Sequence, residues 1–274
     1  MSASPAAPPV GSAEAPAARD PVRLLWSRTA TLCWVELAKI RHDRTELYTR
    51  AIQPALWLLI FGETFTRIHA IPTGQLRYLD YLAPGIMAQS ALFIAIFYGI
   101  QLIWERDFGI LTKLLVTPTP RAALVTGKAF AAGVRAISQV LVVLILAAVL
   151  GVRFDWNPLH LLGAIAAVVL GSSFFATLSM TIAGLVLTRE RLMGIGQAIT
   201  MPLFFASNAL YPAALMPAWV QAVTHVNPLS YEVDALRALL LGLPSNLLAD
   251  FGALLLAATV GILAASSLLG RLAR

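Results

Sequence analysis

Residues Leu159 to Leu187 read LHLLGAIAAVVLGSSFFATLSMTIAGLVL, without a single Lys, Arg, Asp or Glu. A membrane-spanning helix needs about 20 apolar residues, each rising about 1.5 Å along the axis. This run exceeds that length and offers no charge to hold it at a water-facing surface. Five further runs of the same character flank it: about Leu47 to Phe65, Tyr81 to Trp104, Ala129 to Leu150, Leu192 to Leu210 and Leu247 to Leu269. The composition agrees. The chain of 274 residues is 58% hydrophobic and 12% charged, with a mean hydropathy of +0.77. A soluble domain carries roughly 25% charged residues. The expected fold is all-α, a single bundle of six transmembrane helices over residues 46–274.

Lys and Arg set the orientation, because cytoplasmic segments retain them. With both termini inside, the N-terminal segment holds seven (Arg19, Arg23, Arg28, Lys39, Arg41, Arg44, Arg50). The loop after the second span holds Arg106, Lys113, Arg121 and Lys128, the next inner loop Arg189 and Arg191, and the C-terminus Arg271 and Arg274. The outer segments hold only Arg67, Arg77, Arg153 and Arg237. This asymmetry predicts a multi-pass protein of the cell (cytoplasmic or inner) membrane with both termini in the cytoplasm. It also accounts for the pI of about 9.9 through anionic lipid, without nucleic acid.

Residues 1–20 are rich in Ala and Pro, have no apolar run after a basic start, and read as a disordered cytoplasmic tail. Residues 21–45 mix Trp26, Trp34, Leu32 and Val35 with Arg23, Arg28, Lys39 and Arg41, which suits an amphipathic helix lying in the interface. Residues 104–128 are too patterned for a simple loop. Phe108, Leu111, Leu114 and Leu115 recur at helical spacing across from Arg106, Asp107 and Lys113, and Pro118 and Pro120 end the pattern. The expectation is a short cytoplasmic helix whose apolar face needs a partner. Residues 209–242 are half apolar and broken by Pro212, Pro217 and Pro228. They predict two short helices on the outer side that dip back into the bilayer, with Glu232 and Asp234 early in the second.

No catalytic chemistry assembles. The only Gly-Lys pair, Gly127-Lys128, lacks the upstream glycine and the following Ser or Thr of a phosphate loop. The four histidines lie in separate segments, and the single cysteine, Cys33, excludes an internal disulfide. No carboxylate is expected at mid-membrane; Glu63 falls near the outer surface, one turn from Arg67, where an ion pair or a cation-attracting role would serve. An ion-coupled carrier is therefore disfavoured. So is a membrane-embedded lipid-modifying enzyme, which would need a polar cluster at the interface.

Two motifs carry a resemblance. Glu105 to Pro120, ERDFGILTKLLVTPTP, resembles the E-x-x-x-G-x-x-x-x-L-x-x-T-P loop of ABC-2 type exporter membrane subunits. Leu210 to Leu240, LYPAALMPAWVQAVTHVNPLSYEVDALRALL, resembles their outer P-x-x-x-x-P-x-W … N-P-L-[ST]-Y-x-V-D-A-x-R segment. That group includes daunorubicin-resistance-type drug permeases and polysaccharide exporters. The resemblance implies a permease without its own nucleotide site or cofactor. Two such chains, a homodimer or close heterodimer, would join two copies of a separate ATPase that binds ATP and Mg. It implies ATPase coupling through Glu105, Arg106, Asp107, Phe108, Gly109, Leu111, Lys113, Leu114, Leu115 and Pro118. It implies an outer gate of Tyr211, Pro212, Trp219, Asn227, Pro228, Tyr231, Asp234 and Arg237, with Arg237 paired to Asp234 or Glu232. For the substrate path, Tyr48, Gln53, Trp57 and Phe61 recur along the first span and Gln89, Phe93, Phe97 and Gln101 along the second, while Phe204, Phe205 and Asn208 cluster on the fifth. Aromatic walls with a few amides suit an amphiphile, a hydrophobic drug or natural product in the first place and a lipid-linked glycan or polysaccharide as the alternative. The same residues also suit ordinary helix–helix packing.

Overall fold

A computed structural model describes residues 27, 29–35, 38, 44–68, 71–74, 76–111, 113 and 120–272. The side chains of 44–48, 50 and 272 are outside that description, as are residues 1–20, most of 21–43, and Leu114, Leu115 and Pro118. Every regular element among the described residues is helical. They are α1 (Arg44–Leu56), a π turn (Trp57–Gly62), α2 (Glu63–Ile68), α3 (Tyr78–Asp107), α4 (Arg121–Val149), α5 (Pro158–Val186) and α6 (Arg189–Phe205). After a 3₁₀ turn (Ala213–Leu215) come α7 (Ala218–Val226), α8 (Pro228–Leu241) and α9 (Leu247–Leu272). The described residues of the 27–38 stretch are helical as well.

Four of the six expected spans, α3, α4, α5 and α9, are long and apolar enough to cross a membrane. The first expected span is less regular. Pro54 lies inside α1 and has no N–H to donate, and the helix widens one turn later into the π turn before resuming as α2. The fifth, α6, has 17 residues, or about 26 Å of rise.

The charge-free helix α5 occupies the centre and packs against α3, α4, α8 and α9. Small side chains let its neighbours approach. Ser179 donates to the carbonyl of Ile96 across a contact where Gly99 faces the α5 backbone. Outward faces of α4, α5 and α9 carry exposed Leu141, Ile145, Leu159, Leu162, Leu255, Leu256 and Leu263, the surface expected of a bundle solvated by lipid.

Two expected boundaries move. The third span begins at Arg121, after Pro120 at its N-cap, so Lys128 lies inside α4 instead of in a loop. The 104–128 segment opens as the last turn of α3, which ends where Gly109 takes a left-handed conformation (φ +70°) and its N–H reaches the carbonyl of Arg106. Ile110, Leu111 and Lys113 are helical beyond it. The 209–242 segment forms two short helices, and only the second is sunk in the bundle, against α3, α5 and α9.

Candidate functional site

The bundle carries three polar constellations, one at each end and one between. The first is at the end rich in Lys and Arg, where α3 stops and α6 starts. Asp107 accepts from Arg106 at 2.8 Å and from Arg189 at 2.6 Å, and the Arg189 guanidinium lies 5.5 Å from the Trp104 ring centroid. Glu105 turns inward instead. The Lys128 ammonium lies 2.6 Å from its carboxylate oxygens, and the Gln101 amide donates to it at 3.3 Å. Both partners of this ion pair are nearly buried, so Glu105 ties α3 to α4 and is not displayed. The expected apolar face divides in the same way. Phe108 is 73% exposed and Ile110 47%, whereas Leu111 is fully buried in the chain's own core. Lys113 is exposed, and Gly109 supplies the bend. A partner would meet Trp104, Phe108 and Ile110 beside the Arg106–Asp107–Arg189 cluster.

The second is a cavity of about 450 Å³ between α1, α3, α4 and α6. Gln53, Gln89, Phe93 and Phe97, four of the expected path residues, line it. Two more amides join them, Gln139 from α4 and Gln197 from α6. The other expected path residues lie elsewhere. Trp57, Phe61 and Phe65 form a ladder of rings that meets Tyr78 at one end, while Trp57 also stands edge-on to Phe204, itself against Phe205. Phe204 is fully buried, Gln101 is engaged with Glu105, and the Tyr48 side chain falls outside the described residues.

The third holds the non-helical backbone that follows α6. With α6 finished at Phe205, the carbonyls of 203–210 need donors, and irregular backbone inside lipid is tolerated only when protein supplies them. Asn227 donates to the Leu203 carbonyl at 2.7 Å, Thr224 to Ala206 at 2.9 Å and Tyr211 to Phe205 at 2.8 Å. Tyr81 donates to the Asn208 carbonyl and Tyr78 to that of Leu210, each at 3.0 Å. Arg237 reaches in from α8 and donates to the carbonyls of Asn208 (2.8 Å), Ala209 (3.2 Å) and Tyr81 (3.2 Å), with its guanidinium 3.6 Å from the Tyr81 ring centroid. Gly85 leaves the room for this, because a Cβ there would collide with the Ala209 backbone. Asn227 also caps α8 by accepting from the Leu229 N–H, with Pro228 at the first helical position. Tyr231 closes the corner by donating to the His225 carbonyl at 2.5 Å. Trp219 on α7 and Pro212 before the 3₁₀ turn flank this lock, and Trp219 is exposed.

The expected pairing of Arg237 with Asp234 is present, the two groups standing 3.8 Å apart, while the guanidinium's hydrogen bonds go to backbone carbonyls and the Asn208 amide holds Asp234 at 2.6 Å. One expectation about this end is corrected. A carboxyl does lie deep in the bundle. Glu232 is fully buried, its oxygens have no hydrogen-bond partner among the described residues, and it packs on Gly171 roughly halfway along α5. The sequence placed it in the first turns of a short outer helix, and the packing of α8 against α3, α5 and α9 carries it into the bundle. Lys128, Arg189, Gln139, Gln197, Tyr78, Tyr81 and Thr224 also escaped the sequence reading. The isolated amide of Gln139 within the apolar run of α4 was the one local signal available.

The sequence profile of ABC-2 type transporters matches residues 27–241. The chain belongs to the ABC-2 type transporter family. This ABC-2 chain is 31% identical over 211 residues to a putative transport permease, ycf38, of Cyanophora paradoxa, covering 73% of this chain and 70% of that one. It is 27% identical over 220 residues to the daunorubicin resistance ABC transporter permease protein DrrB1 of Streptomyces coeruleorubidus (79% and 76%). It is also 28% identical over 197 residues to nodulation protein J of Rhizobium leguminosarum bv. viciae (71% and 75%). As an ABC-2 permease it is a multi-pass membrane component of a transporter, not itself a catalyst, and its family associates with an ABC ATPase subunit. The ERDFG segment and the NPLSYEVDALR segment both fall inside the matched region.

Proposed function

We propose that this chain is the transmembrane subunit of an ATP-driven exporter that moves a hydrophobic or amphiphilic substrate out of the cytoplasm or the inner leaflet. It works as a homodimer with two copies of a separate ATPase, which carries the ATP and Mg. The lysine and arginine asymmetry supports a cytoplasmic location for the end bearing Asp107 and Arg189. The observation that carries the reading is the pairing there of exposed apolar side chains with a fixed charge cluster. Phe108 and Ile110 offer area that a soluble partner would bury, while Arg189–Asp107 joins α3 to α6. A push on Phe108 is thereby delivered to two helices that line the amide cavity. The lock around Arg237 serves as the outer gate, held by hydrogen bonds that one displaced helix would break together.

The test is co-purification with a P-loop ATPase encoded beside this chain, followed by reconstitution into liposomes. ATP-dependent movement of an amphiphile, lost on Phe108→Ala while the two proteins still insert and fold, is the expected result. A transport signal driven by a proton or sodium gradient without any ATPase would overturn the proposal.

A further inference from the structure

The cavity between α1, α3, α4 and α6 is unusual in the chemistry of its wall. Four glutamines from four different helices, Gln53, Gln89, Gln139 and Gln197, face a space that Phe93 and Phe97 close on an apolar side. No ionised side chain lines it among the described residues. Gln139 and Gln89 are each only 2% exposed. Both the nitrogen and the oxygen of the Gln139 amide lack a hydrogen-bond partner among the described residues. A buried amide left without partners is destabilising, and cores retain such groups mainly where a ligand or water completes them. Two small hydroxyl side chains buried in these helices, by contrast, are satisfied locally. Ser90 donates to Ile86 and Thr200 to Gly196, each within its own helix.

A carboxamide presents one acceptor and two donors and carries no charge. A set of four, with no carboxylate and no cation, offers an ionised head group no countercharge. Removing an ionised head group from water into this wall would be strongly unfavourable. A hydroxyl both donates and accepts, so it satisfies either end of an amide, and several hydroxyls on one ring satisfy several amides at once. The rings of Phe93 and Phe97 then meet the apolar part of the same molecule.

We infer that this cavity binds the uncharged, hydroxyl-bearing head group of an amphiphile, a sugar-like group on an apolar body, and that Gln139 with Gln89 selects it over a cationic head. The inference rests on the exporter reading and narrows it to a substrate class. The site spans residues 89 to 97 of α3, about 17 to 29 Å from the Tyr78 end of that helix and about 15 to 27 Å from the Asp107 end, so it lies at mid-helix.

The experiment needs no ATPase, so its failure is distinct from failure of the transport assay. The full chain in lipid nanodiscs is dialysed against 2-naphthyl β-D-glucopyranoside and, separately, 2-naphthylmethylammonium, with empty nanodiscs subtracted. The wild type should bind the glucoside about tenfold more tightly than the cation. Gln139→Leu should weaken the glucoside about tenfold with its melting temperature unchanged or raised, since the leucine removes a group that had no partner. Gln89→Leu provides the same reading from a second helix. Gln139→Glu should reverse the preference toward the ammonium, which a merely structural glutamine would not do. Equal binding of both probes by the wild type, or none above empty discs, overturns the inference. So does a glucoside preference that survives both leucine variants.

Discussion

Replacing Arg237 with alanine removes the guanidinium that gathers three backbone carbonyls at the break after α6. The Asn208 carbonyl keeps the Tyr81 hydroxyl at 3.0 Å. The Tyr81 carbonyl lies within α3. The Ala209 carbonyl loses the donor it has among the described residues, at 3.2 Å. An orphaned buried acceptor costs about 1 to 3 kcal/mol, and hydrogen bonds to a charged group contribute about 1.5 to 3 kcal/mol each. The loss is partly offset because alanine needs no desolvation of a cation. A net destabilisation of about 3 to 5 kcal/mol follows, on the order of 10 °C in melting temperature for a domain of this size. Arg237→Lys keeps the charge but not the planar fork, and should fall between alanine and wild type. Asp234→Asn is the control. Its carboxylate stands 3.8 Å from Arg237 and is 40% exposed, so neutralising it should cost less than about 1 kcal/mol. Thermal unfolding of the three variants in nanodiscs decides the point. If Asp234→Asn falls as far as Arg237→Ala, Arg237 serves an ion pair and the carbonyl-capping account is wrong.

Three further outcomes are expected. Lys128→Met should destabilise the bundle by about 3 to 5 kcal/mol, because it strands the Glu105 carboxylate, and Lys128→Met with Glu105→Met should recover most of the loss; melting temperatures of the single and double variants measure it. Gly171→Ala should cost about 1 to 3 kcal/mol by driving a methyl group into the Glu232 carboxyl, and Glu232→Ala should relieve it; a double-mutant cycle without coupling would show the contact is slack. Phe108→Ala should leave the stability within about 0.5 kcal/mol of wild type yet weaken ATPase co-purification, whereas Leu111→Ala should cost about 2 to 5 kcal/mol in the fold itself.

Much of the helical framework was legible because lipid imposes a simple requirement. A long uncharged run has one economical structure, and α5 falls within a residue of where its composition placed it. The less regular elements were harder. Hydropathy does not register the π turn after Pro54, and α6 stops at Phe205, short of its apolar run. The break after α6 is maintained by Asn227, Thr224, Tyr211 and Arg237, residues up to 32 positions downstream that sequence spacing alone does not connect to it. The motif around NPLSYEVDALR was recognisable, but its physical reason, donors for carbonyls that a broken helix leaves open, required the packing of α8. Glu105 and Leu111 show the converse. The resemblance put Glu105, and periodicity Leu111, on a displayed segment, and long-range contacts with α4 and the core turn them inward. The amide cavity was half visible, since Gln53 and Gln89 stood out at helical spacing while Gln139 and Gln197 lie on helices read for their apolar length.

In the proposed exporter an ATPase docks at Phe108 on the lysine- and arginine-rich end, with the Arg237 lock facing away from it. A photoreactive phenylalanine analogue introduced at position 108, and in a second variant at Trp219, tests this in intact cells. Illumination should crosslink position 108 to a P-loop ATPase subunit and leave position 219 without that product. A crosslink to the ATPase from position 219, or its absence from position 108 when the two proteins co-purify, would contradict the account.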